Sequence, residues 1–271
     1  MCIPRQKRDE NCHASSCELR IKNYFRMKKQ YIFILALCVL VSDLAYSQIQ
    51  RPRRIEVGLI AGPTVDWATA NTRSYSSSGI KLGGVYGLNL DINLAPTSSN
   101  YFFSTGINAR HIRFGLKYKD NYLFDNMETY EIEILNNATV ESTFNTTYIS
   151  IPTAIRLKTN TFGDFAFWGL LGLEHSIAAA SKSNDDITRE DGRIEKQDKV
   201  NHYKDMSFFK ESLYIVLGAE YIIQNNTKVT LGIGYDHGFN NMFRKKYKNS
   251  LTNESINIHT HRLELQVGVV F

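Results

Sequence analysis

The sequence predicts an all-β fold, an eight-stranded antiparallel up-and-down transmembrane β-barrel with short periplasmic turns and long external loops. Three observations carry that expectation. Eight segments alternate apolar and polar residues with period two, no apolar run reaches the length of a membrane helix, and the connections alternate short and long.

The chain opens with a targeting pattern. Met27-Lys28-Lys29 is basic, Tyr31 to Val41 is an apolar run of eleven residues, and Ala45-Tyr46-Ser47 offers small residues where a signal peptidase reads. Cleavage before Gln48 follows, with Met27 as the true start. Eleven residues cannot span a bilayer, which takes about 20. Cys38 sits mid-run behind a large residue, which argues against lipidation. The expected division is residues 1–47, an upstream segment plus cleaved signal peptide, and residues 48–271, the barrel.

Residues 1–47 hold eight of the 32 Lys/Arg and four of the 27 Asp/Glu, leaving 24 against 23. The net charge of +5 is therefore largely a property of the leader, and nothing supports a nucleic-acid partner. All four cysteines (Cys2, Cys12, Cys17, Cys38) also fall there, so residues 48–271 hold no disulfide and no Cys-based metal site, as suits passage through an oxidising periplasm.

Each strand is justified by its parity. Ile55, Val57, Leu59 and Ala61 alternate with Glu56, Gly58, Ile60 and Gly62. Leu82, Tyr86, Leu88, Leu90, Ile92 and Leu94 alternate with Lys81, Gly83, Val85, Gly87, Asn89, Asp91 and Asn93. Phe103 to Ala109 starts a third strand whose parity slips near His111, after which Ile112, Phe114, Leu116 and Tyr118 carry the apolar face; a β-bulge or an extension beyond the membrane explains the slip. The fourth sets Ile149, Ile151, Ile155 and Leu157 against Ser150, Arg156 and Lys158, and Pro152 inside it predicts a local bulge. Phe165, Phe167, Leu171 and Leu173 oppose Ala166, Trp168, Gly172 and Glu174 in the fifth. The sixth and seventh run from Leu213 to Tyr221 and from Val229 to Asp236, and the eighth from His261 to Phe271.

Short connections (Pro96 to Asn100, Thr159 to Gly163, Gln224 to Thr227) follow the second, fourth and sixth strands. Long polar ones (Ala68 to Ser78, Lys119 to Ser142, Ser181 to Met206, Arg244 to Ser255) follow the others. A soluble lipocalin shares the eight up-and-down strands, but its apolar residues face inward and it needs no such asymmetry. In a bilayer the sheet must close, because no water pairs exposed backbone groups.

Closure at eight strands leaves a lumen that side chains fill. The expected lumen polar network is Glu56, Lys81, Asp91, Arg110, Arg156, Lys158, Glu174, Glu220, Asp236, Arg262 and Glu264, with inward glycines making room. Both signs occur in similar number, as a mutually paired lumen requires. Trp67, Tyr101, Phe102, Phe103, Tyr148, Phe165, Tyr221, Tyr235 and Phe271 are expected in interfacial girdles.

Little points to chemistry. In Glu174-His175 and Asp236-His237 neighbours point to opposite faces, so neither pair is a dyad. His259 and His261 share a face but lack a visible third ligand, and Asn184-Asp185-Asp186 and Glu190-Asp191-Gly192 lack calcium-loop spacing. No catalytic residue, metal site or cofactor is expected. Arg244, Lys245, Lys246 and Lys248 form a basic cluster, a candidate lipopolysaccharide contact at the outer rim.

Several segments resemble the PorT-like outer-membrane β-barrel family of Bacteroidota: Tyr148-Ile149-Ser150-Ile151-Pro152 with Arg156 and Lys158, the turn Thr159 to Gly163, Trp168 to Leu173, and Gly234 to Phe239. A final strand closing on Phe271 is similar to the terminal signal of bacterial outer-membrane barrels, which implies the barrel-assembly machinery as a partner. The resemblance implies an outer-membrane location with both termini periplasmic, and a helper of a protein secretion system. The expected function is a membrane-anchored binding or scaffold protein contacting outer-membrane lipid, lipopolysaccharide and secretion-system or surface proteins. The rival readings are a lipid-acting barrel hydrolase or acyltransferase and a narrow channel.

Overall fold

The computed structural model describes residues 54–271 apart from 96, 127–130 and 225–226; the expected leader and its cleavage site lie outside them. Ten strands form: β1 (Ile55–Ala70), β2 (Tyr75–Ser77), β3 (Lys81–Asn93), β4 (Tyr101–Asn126), β5 (Glu131–Lys158), β6 (Phe165–Thr188), β7 (Ile194–Asn201), β8 (Phe209–Gln224), β9 (Thr227–Gly238) and β10 (Ile258–Val270). No helix occurs among the described residues.

Eight of the strands close a ring in the order β1-β3-β4-β5-β6-β8-β9-β10, with β10 pairing back to β1 and every pairing antiparallel. Register partners lead from Glu56 through Asp91, Ser104, Ala154, Gly172, Tyr214, Asp236 and Arg262 to Asp66, ten residues further along β1. That stagger tilts the strands, and it stacks the inward residues of different strands at successive heights. Phe271 extends the seam, its N–H donating to Val57 O at 2.9 Å.

The outer wall is aliphatic where the inner one is charged. Leu217 is 68% and Ile233 65% exposed, while Glu220 and Asp236 on the same strands are buried. Only a hydrocarbon solvent makes that arrangement stable, since in water the apolar face would turn inward.

Three expectations change and one pair of alternatives is decided. The polar stretches Lys119–Ser142 and Ser181–Met206 are not open loops: β4, β5 and β6 run far into them and β7 adds to the β6 edge. The parity slip at His111 is an extension and not a bulge, because register with β5 is unbroken from Asn108 to Asp120 while Ile112, Phe114, Leu116 and Tyr118 take over the inward face. Pro152 causes no bulge either. Register on both sides of it is kept, pairing with β4 simply lapses between Ser104↔Ala154 and Asn108↔Ser150, and the bulge falls in β6, where Tyr148 pairs with Ala178 but Thr147 with Ala180. Phe102 and Tyr148 are fully buried inside the ring and so are not girdle residues. For the stretches beyond the lipid band polarity alone misleads, because there the solvent becomes water and the faces exchange roles.

Candidate functional site

The lumen is built in ionic layers. At the end nearest the short turns, Lys158 Nζ contacts Glu56 at 2.6 Å and Glu220 at 3.2 Å, and Lys228 contacts the same two carboxylates at 2.8 and 3.4 Å. Next, Arg156 pairs with Asp91 at 2.5 Å over the Trp168 ring. Deeper, Arg110 pairs with both Glu174 and Glu264. Arg262 lies 3.1 Å from Asp236, 3.4 Å from Glu174 and 3.5 Å from Glu264, and Lys210 lies 2.9 Å from Asp236. Tyr214 Oη donates to Glu264 at 2.5 Å and Ser212 Oγ to Asp236 at 2.5 Å.

Ten of the eleven residues expected in the lumen are buried in these layers. Lys81 is half-buried and has no ion pair among the described residues. Sequence reasoning missed Lys210, Lys228 and Asp66. The signal was present, since carrying the parity of the sixth strand back to 210, of the seventh to 228 and of the first on to 66 puts all three inward. Asp66 Oδ2 accepts from Arg113 N at 3.0 Å and from Thr64 Oγ1 at 3.2 Å.

Glycines admit the bulky partners: a side chain at Gly218 or Gly232 would meet Trp168, and at Gly234 would meet Glu264. A cavity of about 10 Å³ remains between Asn89, Arg156, Trp168 and Gln266, room for a single water. The lumen at this level is packed.

Past the ionic layers the interior becomes apolar. Phe114 stacks on Phe144 at 5.0 Å, Phe243 sits edge-on to both, and Met206, Met242 and Ile256 from the connecting segments join Ile258 at the start of β10 in the same apolar cluster. His202 Nδ1 lies 3.1 Å from Asp205, its ring edge-on to Phe144 and Tyr247. Sequence reasoning did not single out this acid–imidazole pair, whose i, i+3 spacing was its only signal. At the far end Arg189 binds Glu133 at 2.7 and 2.8 Å, which holds that carboxyl below its usual range, and Tyr122 Oη donates to Asp185 at 2.6 Å.

The outer wall has its own boundary. Near the upper edge of the aliphatic band come His111 on β4, His175 on β6, His237 on β9 and His261 on β10, with Trp67 on β1. Glu174 is buried in the lumen while His175 faces out to Thr153 and Glu211, and Asp236 and His237 divide the same way. Among the described residues no group of three or more His, Cys, Asp or Glu is placed to hold a metal. Of the basic cluster, Arg244 is half-buried with Nε donating to Met206 O, whereas Lys245, Lys246 and Lys248 are exposed.

A closed ring with a lipid-type exterior and an ion-paired interior defines an integral β-barrel membrane protein. The chain belongs to the outer membrane protein beta-barrel domain family, whose profile matches residues 46–244, and that family places it in the outer membrane. No curated protein matches the sequence. Similar solved structures include Neisserial surface protein A (11% identity, TM-score 0.36, covering 80% of this chain and 97% of that one). Ail, the attachment invasion locus protein of Yersinia pestis, is 14% identical with a TM-score of 0.32, covering 81% and 100%. The outer membrane protease OmpT from Escherichia coli is 12% identical with a TM-score of 0.35, covering 83% and 99%. Likeness at this level says nothing of activity.

Proposed function

We propose that this chain is a sealed outer-membrane anchor displaying a binding module outside the cell, with both termini in the periplasm. The reversal of the interior carries the reading. The ring leaves the lipid band and continues as water-facing β-structure with an apolar core, instead of ending in open loops. On the outer face of the β4–β5 hairpin, Leu123, Ile132 and Ile134 are 64%, 73% and 62% exposed. A cluster of large apolar side chains held in water on a paired hairpin is what a protein partner covers. The PorT-like resemblance supports placing that partner in a secretion apparatus. We read the chain as a binder and not an enzyme, the reading that the exposed apolar cluster on the β4–β5 hairpin favours.

The experiment is crosslinking on intact cells with wild type and an Ile132→Ser/Ile134→Ser variant. The expected result is a protein adduct formed by the wild type and lost in the variant, whose heat-dependent electrophoretic shift shows the barrel still folded. Identical adducts in both would overturn the reading.

Lipopolysaccharide contact belongs to the same proposal, at a different place from the Arg244–Lys248 cluster. Asn249, next to that cluster, donates to Lys119 O at 2.8 Å, six residues beyond Arg113 on β4 and roughly 20 Å further along the strand. Arg113, Asn145 and Lys182 instead form one cross-strand row on β4, β5 and β6, just above the aliphatic band, where lipid phosphates lie. Arg113→Ser/Lys182→Ser is expected to lower co-purified lipopolysaccharide while Ser at 244, 245, 246 and 248 leaves it unchanged; the reverse outcome would restore the original site.

A further inference from the structure

The imidazoles at the boundary of the outer wall are not equivalent. His111 Nδ1 has one partner, Thr147 Oγ1 at 3.0 Å. His175 has one for each nitrogen, Thr153 Oγ1 at 2.9 Å and Glu211 at 2.9 Å. His259 Nδ1 is taken by the Gly238 carbonyl at 3.2 Å. His261 differs: its Nδ1 lies 2.9 Å from Tyr235 Oη and 3.2 Å from His237 Nδ1. An imidazole nitrogen carries either one proton or one lone pair, so it serves only one of two such neighbours in either tautomer. Three polar atoms therefore converge with fewer hydrogen bonds than close contacts.

The register fixes this convergence. His261 is the direct cross-strand partner of His237 on β9 and of Trp67 on β1, while Tyr235 is paired with Leu263 and stands on the same outer face. Trp67 stacks on His261 with ring centroids 5.4 Å apart and planes 6° from parallel, and the two His rings lie 4.7 Å apart. The sequence suggested His259 as the companion of His261; the sheet supplies His237 instead.

We propose that His237, His261 and Tyr235 bind a divalent transition-metal ion on the outer wall of β9 and β10. Two imidazole nitrogens sharing a tetrahedral ion at about 2.0–2.1 Å each stand roughly 3.3 Å apart, close to the spacing present without one. A cation also accepts lone pairs from both imidazoles and the phenol together, which no hydrogen-bonding tautomer does. Imidazole donors select copper, nickel and zinc over calcium or magnesium. With no third His, Cys, Asp or Glu at the site among the described residues, at least one coordination position stays open to water or a headgroup oxygen.

The test uses the full chain purified in detergent without a histidine tag and titrated with Cu²⁺, then Zn²⁺. One ion per chain is expected, with nitrogen hyperfine structure from two imidazoles in the Cu²⁺ electron paramagnetic resonance spectrum. His237→Ala and His261→Ala should each weaken binding about tenfold or more, Tyr235→Phe by less, and His111→Ala or His175→Ala not at all. Should an Ala variant fail to fold, His237→Gln and His261→Gln serve in its place. Binding that is unchanged in the His237/His261 double variant, equally lost in His111→Ala, or free of nitrogen hyperfine structure would overturn the proposal.

Discussion

The guanidinium of Arg156 lies over the ring of Trp168, 3.9 Å from its centre, while Nη1 of the same group holds Asp91 at 2.5 Å. One inward cation thus satisfies a carboxylate on β3 and covers an aromatic face on β6. The indole in turn fills the space left by Gly218 and Gly232 on β8 and β9.

Trp168→Ala should therefore destabilise the barrel by about 3–5 kcal/mol, the range for emptying a buried large aromatic. Urea unfolding in detergent micelles measures it. Wild-type protein in planar bilayers should give no steady conductance, since the lumen around this ring is packed.

Arg110→Leu removes the closest cation from both Glu174 and Glu264 at a fully buried position, leaving them Arg262 at 3.4 and 3.5 Å. Leaving a buried carboxylate wholly uncompensated costs about 3–5 kcal/mol, so with Arg262 still beside both the loss should fall at or below the lower end of that range. Lys228→Leu should cost less by the same unfolding assay, because Lys158 still contacts Glu56 and Glu220 and Lys228 is partly exposed.

Phe243→Ala should loosen the outer module and spare the ring below it. The residue is edge-on to Phe114 and Phe144, so its loss empties the centre of the apolar cluster at about 3–5 kcal/mol. Hydrogen exchange should speed up in Phe114–Tyr118 and Val140–Phe144 while the strand segments around Arg156 and Arg262 stay protected.

Arg189 hydrogen bonds hold the Glu133 carboxyl below its ordinary value of 4.5. A folded-state value below the unfolded one adds stability above the ordinary value and loses it as the pH falls through the lowered one. The contact between the β4–β5 hairpin and the β6–β7 turn should thus hold at neutral pH and weaken only in acid below the ordinary carboxylate range. Glu133→Gln should speed local amide exchange near Arg189 at pH 7, and the difference from wild type should vanish at low pH. The pair is solvent-exposed, so the effect is small.

Sidedness follows from the cysteine-free barrel. Leu251→Cys, in the β9–β10 connection, should react with an impermeant maleimide on intact cells, and Ser99→Cys, in the β3–β4 turn, only after lysis. Labelling in the opposite order would invert the proposed orientation.

Period two by itself determined which side chains face lipid and which face the lumen from Ile55 to Ala61, Leu82 to Leu94 and Leu263 to Val269, because a strand leaves a side chain only two faces and a bilayer accepts only one kind on the outside. Where the faces exchange roles was legible only as one of two alternatives: the parity slip before Ile112 and Phe114 allowed a bulge or an extension beyond the membrane, and the unbroken register of β4 with β5 decides for the extension. Nor could spacing name the partners. Glu264 meets Arg110 and Glu56 meets Lys228 across 154 and 172 residues, and His261 meets His237 instead of His259, because a ring staggered by ten residues sets which positions share a height. Local alternation is a property of each strand alone; contact between strands depends on how the whole sheet closes.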